Sequence, residues 1–369
     1  MRSVSFPTLQ GYWSPITAAR TLKAGKPLAL VLDGVPIVAF RDAAGRAQAL
    51  VDRCPHRSVK LSIGRLPGDG SIQCAFHGWR FGGDGGCRHI PLNPDAKLSA
   101  VGAQAIKCEE REGLLWLYAG DYEAAPPLRL PAPLGEGWFG SNVERDWPVH
   151  WSRGVQTALD VAHIPFVHPQ SIGAAFGRAL GQMPEAKLGH RTEQMADGGF
   201  RVDWWVEAGP SDTPPDVGWV AFHPPHGMSL GIPQKHPDRK SMLFIWTVPL
   251  GENESRNIVL ARRNFGQYSL VPRLYDLLTP VILGEDKRNL VTAWPSEVPL
   301  AGEEVSMPSD APSIAFQRWY RTWTTARASV SSADAPLSAF DVVAQHSGSD
   351  IEFEPVRLEG PLSRELDLG

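Results

Sequence analysis

Two cysteine–histidine pairs lying within 24 residues constrain this chain more than any other feature. Residues 54–56 read Cys-Pro-His and residues 74–77 read Cys-Ala-Phe-His, so C-x-H is followed after 17 residues by C-x2-H. Two thiolates and two imidazoles suit a soft metal centre, either a tetrahedral zinc or an iron–sulfur cluster. Zinc fingers pair each cysteine with another at short spacing and bring their histidines as a separate pair. Here each short loop offers one of each. That arrangement suits a two-iron cluster, both thiolates on one iron and both imidazoles on the other, with a zinc site as the alternative. Pro55 stiffens the first loop, and Gly78 lets the backbone of the second come close to an inorganic sulfide. Cys87 and Cys108 fall outside the pattern and read as small buried hydrophobes. Trp79 either shields such a cluster or fills core, and His89 reads as structural.

The runs CPHRSVKLSIGR and CAFHGWRF resemble the cluster-binding signature of Rieske proteins. The resemblance implies a [2Fe–2S] cluster, with Cys54 and Cys74 on one iron and His56 and His77 on the other. Respiratory-chain members carry an extra cysteine in each loop; this chain does not, so the likeness is to the oxygenase and ferredoxin branch.

A second constellation follows about eighty residues later. Asp160, His163 and His168 stand as D-x2-H-x4-H. On a continuous helix Asp160 and His163 share a face, whereas His168 is rotated away from it. Pro165 is expected to break the helix after His163 and let the chain turn His168 back beside it. Two imidazoles and one carboxylate make the facial triad of non-haem iron(II) oxygenases. The segment resembles the mononuclear-iron signature of Rieske oxygenases. That likeness implies His163 and His168 as ligands, and Asp160 as a residue that hydrogen-bonds His163 and reaches His77 of a neighbouring subunit. Gln156-Thr157 stands where the family often has Glu-Asn. The remaining carboxylate is sought downstream, in Gly284-Glu285-Asp286-Lys287-Arg288, which resembles the family's closing Glu-Asp motif. Asp286 is the expected ligand and Glu285 the alternative, against the bland reading of a solvated charged face. His150, His190, His223, His226, His236 and His346 have no comparable context, and His223 and His226, beside Pro224-Pro225, suit a loop role.

The remaining sequence fits two units. With 369 residues, the chain is long enough for two or three domains. Leu28–Val31, Ile37–Phe40, Ala47–Val51 and Leu114–Tyr118 read as strands, with turn signals at Asp33-Gly34 and around Gly45. The proline-rich stretch 124–133 then marks a boundary near residue 125. Beyond it, Phe200–Val206, Trp219–His223, Met228–Gly231, Met242–Val248 and the 257–264 region read as an antiparallel sheet, and 272–291 and 313–329 as helices. Phe316, Trp319, Tyr320 and Trp323 form one apolar stripe that should pack on the sheet. The expected class is α+β, and the resemblance implies an all-β Rieske domain over 1–122 and, over 123–369, a helix-grip (START/Bet v1-like) catalytic domain.

Hydrophobic residues at 43% and charged residues at 21% describe a globular protein, and a net charge of −4 argues against nucleic acid. The longest apolar run, Leu28 to Phe40, is interrupted by Asp33, Gly34 and Pro36 and is too short to span a bilayer. Residues 1–8 lack the layout of a signal peptide, so a cytoplasmic location is the default expectation. The resemblance implies an oxygenase that takes O2, a mononuclear Fe(II), and electrons originating in NAD(P)H from a separate reductase, sometimes through a ferredoxin. It also implies a head-to-tail homotrimer and hydroxylation or oxidative demethylation of a small molecule. Trp204, Trp205, Trp219, Phe222 and Trp246 suit a hydrophobic, ring-containing substrate and equally a plain core. A Rieske-type electron carrier with an iron-free accessory domain is the alternative.

Overall fold

The computed structural model describes residues 5–130, 137–173, 187–207, 217–232, 236, 238–266, 270–299 and 303–331. Pro131–Pro133 of the proline-rich stretch, His346 and the last part of the chain lie outside the described residues. The β-rich runs before residue 120 form β1 (Tyr12–Ala18), β2 (Leu28–Leu32), β3 (Val35–Arg41), β4 (Ala47–Val51), β5 (Ile72–Gln73), β6 (Arg80–Phe81), β7 (Cys87–His89), β8 (Ala105–Ile106), β9 (Cys108–Arg111) and β10 (Leu114–Ala119). They pair as three antiparallel sheets, ordered β1-β10-β9, β2-β3-β4-β8 and β5-β6-β7. Asp33 and Gly34 both take positive φ, 53° and 77°, which is the Asp-Gly hairpin turn their sequence announces.

β3 is buried on both faces. Ile37 and Ala39 face a core shared with Leu30, Leu32, Leu115 and Leu117, while Val38 and Phe40 face a second core around Leu61, Ile72 and Phe81. This explains why the strand reads as a continuous apolar run rather than an alternation.

Seven further strands form one antiparallel sheet: β11 (Phe139–Trp147), β12 (Lys187–Gln194), β13 (Phe200–Glu207), β14 (Gly218–His223), β15 (Gly227–Ile232), β16 (Ser241–Gly251) and β17 (Glu254–Arg263). Their order is β11-β17-β16-β15-β14-β13-β12. Phe244, Trp246 and Val248 of β16 and Ile258 and Leu260 of β17 join the core of β1–β4 and β10, so one face of the large sheet closes on the first unit. The opposite face carries α1 (Trp151–Leu159) and α4 (Ala311–Ser331), with the four-residue α2 (Ile164–Val167) and α3 (Leu270–Leu290) beside them. Phe316, Tyr320 and Trp323 of the expected stripe bury themselves against Trp151, Val155 and Phe222. Leu283 of α3 packs on Trp147, Val149 and Val259. No helix among the described residues is long and apolar enough to cross a membrane.

The expectation for Pro165 needs correcting. α1 ends at Leu159, Asp160 is already its extended C-cap, and Pro165 lies in the first turn of α2. Proline lacks an N–H that the first turn does not use, so here it begins a helix instead of breaking one.

Candidate functional site

Both cysteine–histidine loops are built on the same backbone plan. The N–H of Cys54 donates to the carbonyl of Val59, and the N–H of Ser58 donates to the carbonyl of Cys54. In the second loop, the N–H of Cys74 donates to Trp79 and that of Gly78 to Cys74. Ser58 and Gly78, each four residues after its cysteine, take φ of 59° and 72°. The left-handed turn favours glycine at Gly78, while the matching turn of the first loop is taken by a serine. The second loop closes the β5–β6 hairpin, whose register pairs Gln73 with Arg80.

The side chains sort by depth. Cys54 and Cys74 are each 2% exposed and lie in the core of Leu61, Ile72 and Phe81. Burial, together with its neighbour Cys74, pushes the Cys54 thiol up to about 11. The His56 and His77 rings meet edge-on with centroids 4.6 Å apart, and Trp79 stacks flat on His56 at 4.4 Å. Trp79 thus covers one face of a candidate ligand while packing partly against the core. Nδ1 of His56 is buried without a hydrogen-bond partner. Burial and His77 hold the His56 imidazole below its ordinary range, which favours its neutral, metal-binding form.

Among the described residues, His163, His168 and Asp286 form the one group of at least three metal-ligating side chains whose ligand atoms, one from each, lie within 4.8 Å of one another. Helix α3 delivers Asp286 from 118 residues downstream of His168. Nε2 of His163 and Nε2 of His168 lie 3.5 Å and 3.1 Å from the same oxygen, Oδ1 of Asp286. That oxygen and Nδ1 of His163 have no hydrogen-bond partner. The Nδ1 edges face other carboxylates: Asp160 at 3.7 Å from His163, and Glu285 at 2.8 Å from His168. Burial opposes charge on His163, yet Asp160 and Asp286 bring its pKa up to about 9. Burial also opposes ionisation of Asp286, but the two imidazoles hold its carboxyl below the usual range.

Asp160 departs from the expected contact. At 3.7 Å from His163 it makes no hydrogen bond, because its Oδ1 accepts the N–H of Ala162 at 2.8 Å in the turn that ends α1. Glu285, read from the sequence only as the alternative ligand, instead meets the far edge of His168, and Ser171 and Gly173 were not legible as parts of this arrangement. Ser171 donates to Glu285 at 3.1 Å, and a Cβ at Gly173 would lie 2.2 Å from the carbonyl of Ile164 and 2.7 Å from that of His168. His223 and His226 are held by structural contacts. His223 bridges Asp197 and Ser229 at 2.9 and 2.8 Å, and His226 bonds Ser14 at 2.8 Å. Cys87 is buried, and burial pushes the thiol of half-buried Cys108 up to about 12, as suits inert packing residues.

Residues 12–105 match the Rieske [2Fe-2S] domain, and residues 147–326 match the vanillate O-demethylase oxygenase C-terminal domain. The chain belongs to the Rieske oxygenases. Methylxanthine N1-demethylase NdmA of Pseudomonas putida is 25% identical over 85% of this chain and 88% of its own length. Chlorophyllide a oxygenase of Chlamydomonas reinhardtii is 34% identical over 43% of this chain, a match spanning 24% of that longer protein. The structure of the NdmA QL mutant with caffeine superposes with a TM-score of 0.71 at 25% identity, covering 86% of this chain and 92% of that one. Dicamba monooxygenase shares the fold, with a TM-score of 0.70 at 20% identity over 89% of this chain and 100% of that one.

The donors present fit the two groups this family implies. Two buried thiols beside the orphaned Nδ1 of His56 fit an iron–sulfur cluster. Two Nε2 atoms converging on one unsatisfied carboxylate oxygen fit a single divalent iron.

Proposed function

We propose that this chain is the terminal oxygenase component of an electron-transfer system. In this reading residues 1–122 hold a [2Fe–2S] cluster through Cys54, His56, Cys74 and His77. Residues 123–369 hold a mononuclear Fe(II) through His163, His168 and Asp286. The observation that carries the reading is the convergence of both Nε2 atoms on Oδ1 of Asp286. With iron bound there, the site supplies the place where O2 is activated, and the cluster supplies electrons one at a time. The protein's own share is orientation. The N–H of His168 donates to the carbonyl of Ile164, and its carbonyl accepts from Ser171 and Gly173, so the imidazole is anchored by backbone as well as by side chain.

The substrate class follows the relatives. NdmA is named as a methylxanthine N1-demethylase and dicamba monooxygenase is known bound to 3,6-dichlorosalicylic acid, and both support hydroxylation or oxidative demethylation of a hydrophobic, ring-containing small molecule. Phe222 and Trp246 are spent on core, so half-buried Trp204 and Trp319 are better candidates to meet it. Electrons come from NAD(P)H through a separate reductase, with or without a ferredoxin.

A head-to-tail homotrimer completes the proposal, with Asp160 passing electrons from His77 of a neighbouring copy. Exposed apolar side chains support it: Ile63 and Phe76 near the cluster loops, Leu92 nearly fully exposed, and Phe166 between the two histidine ligands. Iron and sulfide analysis tests the core of this reading. Three irons and two labile sulfides per chain are expected; two irons would return the chain to the electron-carrier alternative.

A further inference from the structure

His168 is gripped at both ring nitrogens by consecutive residues of one helix. Asp286 lies 3.1 Å from its Nε2, and Glu285 lies 2.8 Å from its Nδ1. Successive helical side chains diverge by about 100°, so two neighbours reach opposite edges of one ring only if the ring lies between them. The ring does lie there: His168 is 1% exposed and leaves no room for water to compete for Nδ1. Glu285 is itself held, since its Oε2 also accepts the Ser171 hydroxyl at 3.1 Å.

We propose that Glu285 is a positioning residue for the mononuclear metal: it accepts the Nδ1 proton of His168, presents Nε2 unprotonated to the metal, and ties that imidazole to the helix carrying Asp286. The proposal rests on the reading of His163, His168 and Asp286 as ligands. The chemistry is that of an imidazole whose far nitrogen donates to a carboxylate, which fixes tautomer and ring orientation and raises donor strength. Asp160 does not duplicate it, because its contact with His163 is longer than a hydrogen bond. The extra methylene of glutamate matters, since a shorter side chain at 285 falls short of Nδ1.

Co(II) titration of the cluster-loaded protein, freed of mononuclear metal, tests this. The oxidised cluster is silent in EPR, so the high-spin Co(II) signal reports the second site alone, and competition with a chelator gives its affinity. Glu285→Ala is expected to weaken Co(II) binding by about 10- to 100-fold and to change the Co(II) line shape, leaving the cluster's visible spectrum intact. Glu285→Gln keeps a neutral acceptor and should recover most of the affinity; Glu285→Asp should not. Affinity and line shape equal to wild type in Glu285→Ala overturn the assignment. If that variant does not fold, Glu285→Asp decides in the same way. A wild-type chain that takes up no Co(II), or takes it up equally after Asp286→Ala, overturns the ligand reading itself and this proposal with it.

Discussion

Asp286 is the residue on which the proposed second metal site turns, since its Oδ1 faces both Nε2 atoms and it is brought in from a distant helix. Asp286→Ala and His163→Ala should each abolish substrate turnover while leaving the visible absorption of the cluster unchanged. Retained turnover removes the residue from the ligand set, and loss of the cluster spectrum means that the change was not local. Single residues of this kind were legible because their chemistry is rare: thiols and imidazoles at short, fixed spacing have few other uses. The Glu285–Asp286 pair was legible only in part. The sequence offers two adjacent carboxylates, and nothing local says which edge of an imidazole each will meet. That is decided by the rotation of α3 on β11 and β17, set by Leu283 against Trp147 and Val259.

Among the elements, those with strong apolar patterning matched expectation within a few residues, as β13 to β17, α3 and α4 show. The strands of the large sheet that were missed are polar. β12 reads KLGHRTEQ and is a largely exposed edge that pairs with β13 alone, so it has no buried face to write an alternation into its sequence. β11 reads FGSNVERDW and owes its state to pairing with β17 along its whole length. Helix α1, which aims the chain at the proposed metal site, hides its determinant in a glycine. A Cβ at Gly154 would lie 2.6 Å from Cγ2 of Thr247, so α1 sits on β16 at a distance only glycine allows. Gly154→Ala gains up to about 1 kcal/mol of helix propensity but must push the helix outward. We expect a net loss of about 1–3 kcal/mol. Thermal unfolding checks the stability, and a parallel fall in bound mononuclear iron shows that the tilt of α1 reaches the site.

At the level of the whole molecule, the two units share one core, and His226 is a polar rivet across it. Its Nε2 meets Ser14 of β1, its Nδ1 has no partner, and burial depresses its pKa to about 3. An imidazole neutral in the fold but protonated below about pH 6.5 when unfolded removes stability as pH falls. The loss should grow by about 1.4 kcal/mol per pH unit between about 6.5 and 3. Thermal midpoints at pH 7 and pH 5 measure it; His226→Gln should flatten the difference, and an unchanged slope places the acid sensitivity elsewhere. Assembly has its own test. Mixed after dissociation, His77→Ala chains without a working cluster and Asp286→Ala chains without mononuclear iron should regain turnover, though each is inactive alone. No recovery means that each copy serves itself.

The matched loops have one more consequence. They sink both sulfur atoms into the interior, each cysteine 2% exposed, and leave His77 at the surface. A cluster seated there is a battery with a single accessible terminal. In the proposed trimer that terminal is spent on the neighbouring copy, so the external supplier of charge must enter elsewhere on the cluster domain.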